Sequence, residues 1–162
     1  MIFNQVNTEQ ELTDSIQVIR ESFLTVAREF NLTTKNAPTN PAFIEIRHLH
    51  KMREKGIAMF SVLCENIQIG FVAVEKNEEG FYMERLAVLP EYRHKGYGRR
   101  MVEFVTDYIA EQGGDTVLIG VNGSHEIVKA WYQRLGFVEF NSKHFTHIPF
   151  PVCYMRKSCG KS

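Results

Sequence analysis

Apolar residues recur at two different periods along this 162-residue chain, and the change of period divides it. Leu12, Ile16, Ile19, Phe23, Val26 and Phe30 stand three or four apart, the spacing of one helical face. Thr8 and Glu11 precede them as a T-x-x-E capping box, and residues 2–7 read as a short first strand. Asn31 to Asn40 is turn-rich. Asn40-Pro41 then predicts an N-cap followed by proline at the first helical position, opening a second helix that runs to about Lys55 and stops at Gly56. From Ile57 the texture changes. Ile57 to Glu65 and Ile67 to Glu75 are rich in β-branched and aromatic residues with Asn66 between them, the signature of a tight antiparallel hairpin.

A polar turn over residues 76–80 leads into a third strand, Phe81 to Val88. Met101, Phe104, Val105, Tyr108 and Ile109 then return to helical spacing, and Gly113-Gly114 ends that helix. Thr116 to Val121 is almost wholly apolar, as expected of a buried strand after a crossover helix. Ile127, Trp131 and Leu135 mark a last helix, with Gly136 at its C-terminal cap. Phe137–Phe140 and Val152–Arg156 are the final strands, joined by a long loop that holds two histidines and two phenylalanines. The order is β-α-α-β-β-β-α-β-α-β-β. A right-handed crossover makes strands 81–88 and 116–121 parallel neighbours. The whole chain, residues 1–162, reads as a single α/β domain.

Composition narrows the partners. Lysine and arginine together balance aspartate and glutamate, 19 against 19, which speaks against a nucleic-acid or anionic-membrane surface. The N-terminus lacks the basic-then-apolar pattern of a secretory signal, and the longest apolar run, IAMFSVLC, is too short to span a bilayer. Cys64, Cys153 and Cys159 have neither CxxC nor zinc-ligand spacing, so free thiols in a reducing cytoplasm are the plain expectation. His48 and His50 lie two apart on a helix and face different directions, so no metal site is expected there.

Chemistry concentrates in RLAVLPEYRHKGYGRR, residues 85–100. A strand ends at a proline, two glycines follow one residue apart, and a helix begins. A Walker-A loop would need G-x-x-x-x-G-K-[ST], which is absent; a dinucleotide fingerprint would need a third glycine where Met101 stands. What remains is a nest of main-chain N–H groups at a helix N-terminus, suited to an anion such as pyrophosphate.

This stretch resembles the R/Q-x-x-G-x-G/A coenzyme loop of the GCN5-related N-acetyltransferase (GNAT) family. Ala130-Trp131-Tyr132-Gln133-Arg134-Leu135-Gly136-Phe137 is similar to the family's A-x-x-Y-x-x-x-G-F ending, and Ile69-Gly70-Phe71 fits its hairpin. The resemblance implies a mixed central sheet of about seven strands flanked by about four helices, with strands 81–88 and 116–121 splayed. It implies acetyl-CoA as cosubstrate and no metal. Pantetheine would lie in the gap along Leu86, Ala87 and Val88, where a bulge frees an N–H for the oxyanion. The pyrophosphate would sit on Arg93, His94, Lys95, Gly96, Tyr97, Gly98 and Arg99. His125 stands where many members have a coenzyme-contacting asparagine, and Asn122 is a second candidate for that contact.

The resemblance further implies direct transfer of acetyl to a primary amine of a small molecule or peptide. At pH 7 only about 1 in 10³ lysine-like amines is neutral, so a base is needed. Glu84 is the candidate base, with an ion pair to adjacent Arg85 as the alternative reading. Tyr132 is the candidate proton donor to the departing CoA thiolate; it lies seven residues, nearly two helical turns, beyond His125. The competing function is a non-catalytic acyl-CoA-binding regulatory module. Dimerisation is common in the family, so a homodimer is compatible with the resemblance.

Overall fold

The computed structural model describes residues 1–160 and contains seven strands and four α-helices: β1 (Ile2–Gln5), α1 (Glu9–Glu29), α2 (Ile46–Glu54), β2 (Ala58–Cys64), β3 (Ile67–Asn77), β4 (Gly80–Val88), α3 (Tyr97–Glu111), β5 (Thr116–Asn122), α4 (Glu126–Arg134), β6 (Val138–Lys143) and β7 (Val152–Ser158). The strands form one sheet in the order β1-β2-β3-β4-β5-β7-β6. Only β4 and β5 run parallel, and they pair at just two positions, Phe81 with Val117 and Tyr82 with Leu118. Beyond them the strands part, and this gap is the feature around which the site is built.

Local sequence accounts for most boundaries. The Thr8–Glu11 box is formed in both directions at the start of α1. Glu65 and Asn66 make a two-residue turn with both φ angles positive, 52° and 67°, the backbone twist that a tight hairpin favours. Gly136 (φ 101°) ends α4, and the Phe137 N–H returns to the Tyr132 carbonyl, closing a Schellman-type cap.

Two expected elements differ. The helix expected to run from Pro41 to Lys55 is divided. Asn40 caps only a single 3-10 turn, Pro41–Phe43, and α2 begins at Ile46. The break has a cause: the Ile44 carbonyl accepts a 2.7 Å hydrogen bond from Arg20 Nε on α1, and Glu45 then caps α2 together with His48. In α4, Ile127 faces solvent at 73 % exposure. The buried face is instead formed by Tyr132, with Val128, Trp131 and Leu135 packed against it.

The sheet has a core on each face. Val72, Val74, Met83, Val117, Ile119 and Met155 pack with Met101, Val102, Val105 and Ile109 of α3. On the other face Met59, Phe71, Ala73 and Ala87 pack with Leu12, Val18 and Ile19 of α1 and Leu49 and Met52 of α2. A smaller cluster joins the end of α1 to the segment before α2, and Phe150 of the β6–β7 loop reaches it. That loop spans residues 144–151, because β6 runs on to Lys143. Among the described residues no helix is long and apolar enough to cross a membrane.

Candidate active site

Strand β4 sets the site through an irregularity in its pairing. Phe71 of β3 pairs with Ala87, but Ala73 pairs with Glu84, so Val72 faces both Arg85 and Leu86. The extra residue is a β-bulge, and Arg85 adopts φ 52° to make it. The bulge therefore sits at Arg85–Leu86, at the near end of the Leu86–Val88 stretch expected from the sequence. From Met83 onward the β5-facing edge of β4 has no partner strand, so the main chain of Leu86, Ala87 and Val88 borders the gap.

The chain then turns through Pro90–Tyr92 and enters the glycine loop. His94 (φ 62°) and Gly96 (φ 84°) both take left-handed backbone, which curls successive amides toward one side. Among the described residues the N–H groups of His94, Lys95 and Gly96 have no main-chain acceptor, and Tyr97, Gly98 and Arg99 supply the unpaired donors of the first turn of α3. A side chain at Gly96 would meet nothing within 4 Å, so only the backbone angle demands glycine there. Gly98 has a different constraint: a Cβ there would come within 3.1 Å of the Trp131 ring of α4.

The basic side chains of this loop do different work. Arg93 turns back into the fold, where Nε donates to the Val88 carbonyl at 3.1 Å, Nη1 to Thr25 Oγ1 at 2.9 Å and Nη2 to the Ser22 carbonyl. It braces the end of β4 against α1, and burial lowers its pKa. Lys95 lies 5.8 Å from the Tyr92 ring centre, and Arg99 pairs with Glu103 at 3.2 Å in an exposed i,i+4 contact.

Across the gap, Asn122 ends β5. Its Oδ1 accepts from the Ser124 N–H at 2.8 Å, while its buried Nδ2 has no partner. An orphaned buried donor of this kind is costly unless something else accepts from it. His125 caps α4, its Nδ1 accepting from the Val128 N–H at 3.4 Å, and its ring packs 5.0 Å from Phe30. Tyr132 lies deeper on α4 between Trp131 and Phe137, at ring separations of 4.8 and 5.3 Å. Burial raises its pKa, which keeps the phenol protonated at neutral pH.

Glu84 occupies the opposite face of β4 from Met83, on the side of α1 and α2. Its pKa is pushed up to about 7, first by burial and then by the Glu75 carboxyl of β3, with Arg85 opposing at 3.0 Å. The ion pair anticipated in the sequence is thus present, yet burial and Glu75 outweigh it. Glu75 itself escaped the sequence reading. The register could have revealed it, since Ala73 pairs with Glu84 and Glu75 with Tyr82, placing both carboxylates on one face. His48 and His50 lie elsewhere: His48 caps α2 and His50 pairs with Glu9 at 2.7 Å.

Free amides at a helix N-terminus, a gap bordered by unpaired strand edges and an orphaned amide donor suit one ligand: a linear molecule with an anionic end and an amide-bearing arm. Comparison with known proteins agrees. Residues 55–139, more than half of the chain, match the family model described as acetyltransferase (GNAT) domain. The fold is similar to the ribosomal-protein-S18-alanine N-acetyltransferase from Escherichia coli (TM-score 0.75, 16 % identity, 99 % of this chain and 95 % of that one). It is also similar to an aminoglycoside 6′-N-acetyltransferase complexed with coenzyme A (TM-score 0.74, 15 % identity, 100 % and 99 %). A third similar structure is the PaiA N-acetyltransferase from Thermoplasma acidophilum in complex with coenzyme A (TM-score 0.71, 16 % identity, 98 % and 99 %). The chain belongs to the GNAT acetyltransferase family, the acetyl-CoA-dependent N-acetyltransferases.

Proposed function

We propose that the protein transfers acetyl directly from acetyl-CoA to the primary amine of a small molecule or peptide. The acceptor amine approaches from the α1 and α2 side and gives up a proton to Glu84, directly or through water. The bulge at Arg85–Leu86 offers a main-chain N–H to the developing oxyanion. Tyr132 donates its proton to the departing thiolate from the α4 side. Arg93, His94, Lys95, Gly96, Tyr97, Gly98 and Arg99 form the pyrophosphate loop, with Arg93 acting as a brace, and Asn122 and His125 flank the pantetheine gap.

The observation that carries this reading is the position of Glu84. A half-buried carboxyl with a pKa of about 7 stands next to the bulge and beside the opening between β4 and β5. A group with a pKa near working pH accepts a proton with the least penalty in either state. The amine acceptors named for two of the structural neighbours, a ribosomal-protein alanine and an aminoglycoside, support the same reaction class.

The test is acceptor-dependent release of free CoA thiol across a panel of amines, with Tyr132→Phe beside the wild type. The expected result is release that falls about 10²-fold in the variant while the coenzyme KM is kept, the usual cost of losing one general acid. Tight acetyl-CoA binding without acceptor-dependent release would favour a non-catalytic acyl-CoA-binding module instead.

A further inference from the structure

The face of the sheet that carries Glu84 continues beyond β4 as an open floor. Tyr82 pairs with Leu118, and Leu118 with Arg156. Two residues further on, Gly120 pairs with Tyr154, and Glu84 stands at the same level across the widening gap. Gly120 is exposed, and Tyr154 leans toward it: a Cβ at Gly120 would lie 3.3 Å from Tyr154 Cε1. The missing side chain leaves a shallow trough between a carboxyl wall and an aromatic wall.

Charge differs between those walls. Glu75 adds a second carboxyl on the Glu84 side. On the far side, Lys143 Nζ lies 5.7 Å from the Tyr154 ring centre, and the Arg156 guanidinium lies 5.2 Å from the adjacent Phe140 ring. The trough is therefore negative at its Glu84 end, with Lys143 over the Tyr154 ring on the other side and the Glu79 carboxyl near Tyr154 at the closed end of the gap.

We propose that this trough selects a monoamine bearing a flat apolar group, of the arylethylamine type, with Glu84 holding the nitrogen and Tyr154 flanking the ring above Gly120. The proposal rests on the acetyl-transfer reading of the same site and adds the acceptor class. An arylethylamine carries its charge at one end and its flat ring at the other, matching a carboxyl wall on one side of the trough and an aromatic wall on the other. Lys143 over the Tyr154 ring opposes a second positive charge at that end, so polyamines and polycationic sugars are disfavoured.

Tyramine and spermidine are the probes, used with wild type, Tyr154→Ala, Tyr154→Leu and Gly120→Val. Wild type is expected to turn over tyramine with a kcat/KM at least about tenfold above that for spermidine. Each variant is expected to raise the tyramine KM by about tenfold, with the coenzyme KM unchanged. Calorimetric binding of tyramine to the CoA-saturated protein reads the trough independently of turnover, and Tyr154→Leu covers the case in which Tyr154→Ala does not fold. Tyramine that binds in a Tyr154-dependent way without being acetylated would support the trough and sink the transferase reading. A preference for spermidine, absence of tyramine binding, or a tyramine KM indifferent to both Tyr154 variants would overturn the proposal.

Discussion

The two sides of the gap between β4 and β5 are built from different materials. The proposed coenzyme side is mostly main chain: the amides of residues 94–99, the strand edges and the left-handed turns at His94 and Gly96. The proposed acceptor side is side chain: Glu84, its pKa raised by burial and by Glu75, Tyr154 beside Gly120, and the cations of β6 and β7. One cosubstrate shared by a whole family can be met by backbone geometry, whereas an individual acceptor calls for particular functional groups. Side-chain changes should therefore hurt the two halves very unequally.

The largest effect is expected at Glu84. Glu84→Gln should lower kcat/KM by about 10²-fold or more and abolish the acidic limb of the pH–rate profile. In wild type that limb falls as pH drops through about 7, where the carboxylate takes up its proton. Stability should move the other way. A carboxyl whose folded pKa is raised from 4.5 to about 7 binds its proton more tightly in the native state, so its ionisation destabilises the fold as pH rises through that interval. Thermal melts at pH 8 should show Glu84→Gln more stable than wild type, with the gain vanishing near pH 4. A pH–rate limb unchanged in the variant would remove Glu84 from the chemistry.

An intermediate effect is expected where the backbone itself is disturbed. Gly96 holds φ 84° in open space, so Gly96→Val meets no clash but must adopt a conformation that costs a β-branched residue about 1–2 kcal/mol. If the loop relaxes instead, the coenzyme KM should rise about tenfold with kcat nearly kept. The smallest effects belong to the cations on the same loop. Lys95→Ala and Arg99→Ala should each change the coenzyme KM by only about two- to fivefold, since exposed pairs are worth about 0.2–1 kcal/mol. If either exceeded the effect of Gly96→Val in steady-state kinetics, the coenzyme side would be bound by side chains after all.

Legibility in the sequence follows the same division. The capping box at Thr8 and Glu11, the turn at Glu65–Asn66 and the glycine loop are local patterns, and local energetics fixed them as the pattern suggested. What escaped depends on partners far along the chain. Arg93 looks like a phosphate-binding cation until its partner Thr25, 68 residues away, is known. The division of α2 follows from Arg20 reaching the Ile44 carbonyl across 24 residues. Ile127 entered the helical stripe by spacing, although a phase shift of one residue turns it to solvent and brings Val128 and Tyr132 inward. Gly120 is an ordinary strand glycine until the β5–β7 register sets it beside Tyr154.

The parting of β4 and β5 after two pairs gives this sheet four edges instead of two. The two inner edges face each other, and each offers the unpaired hydrogen-bonding groups that a free strand border presents to any extended chain. Their spacing prevents them from satisfying one another, and an amide-bearing arm between them would act as a short eighth strand. Coenzyme binding is then a form of sheet completion. Amides of Leu86, Ala87 and Val88 should become more protected against hydrogen exchange when it occurs, and a protein depleted of coenzyme should be more prone to join its neighbours through the same open borders.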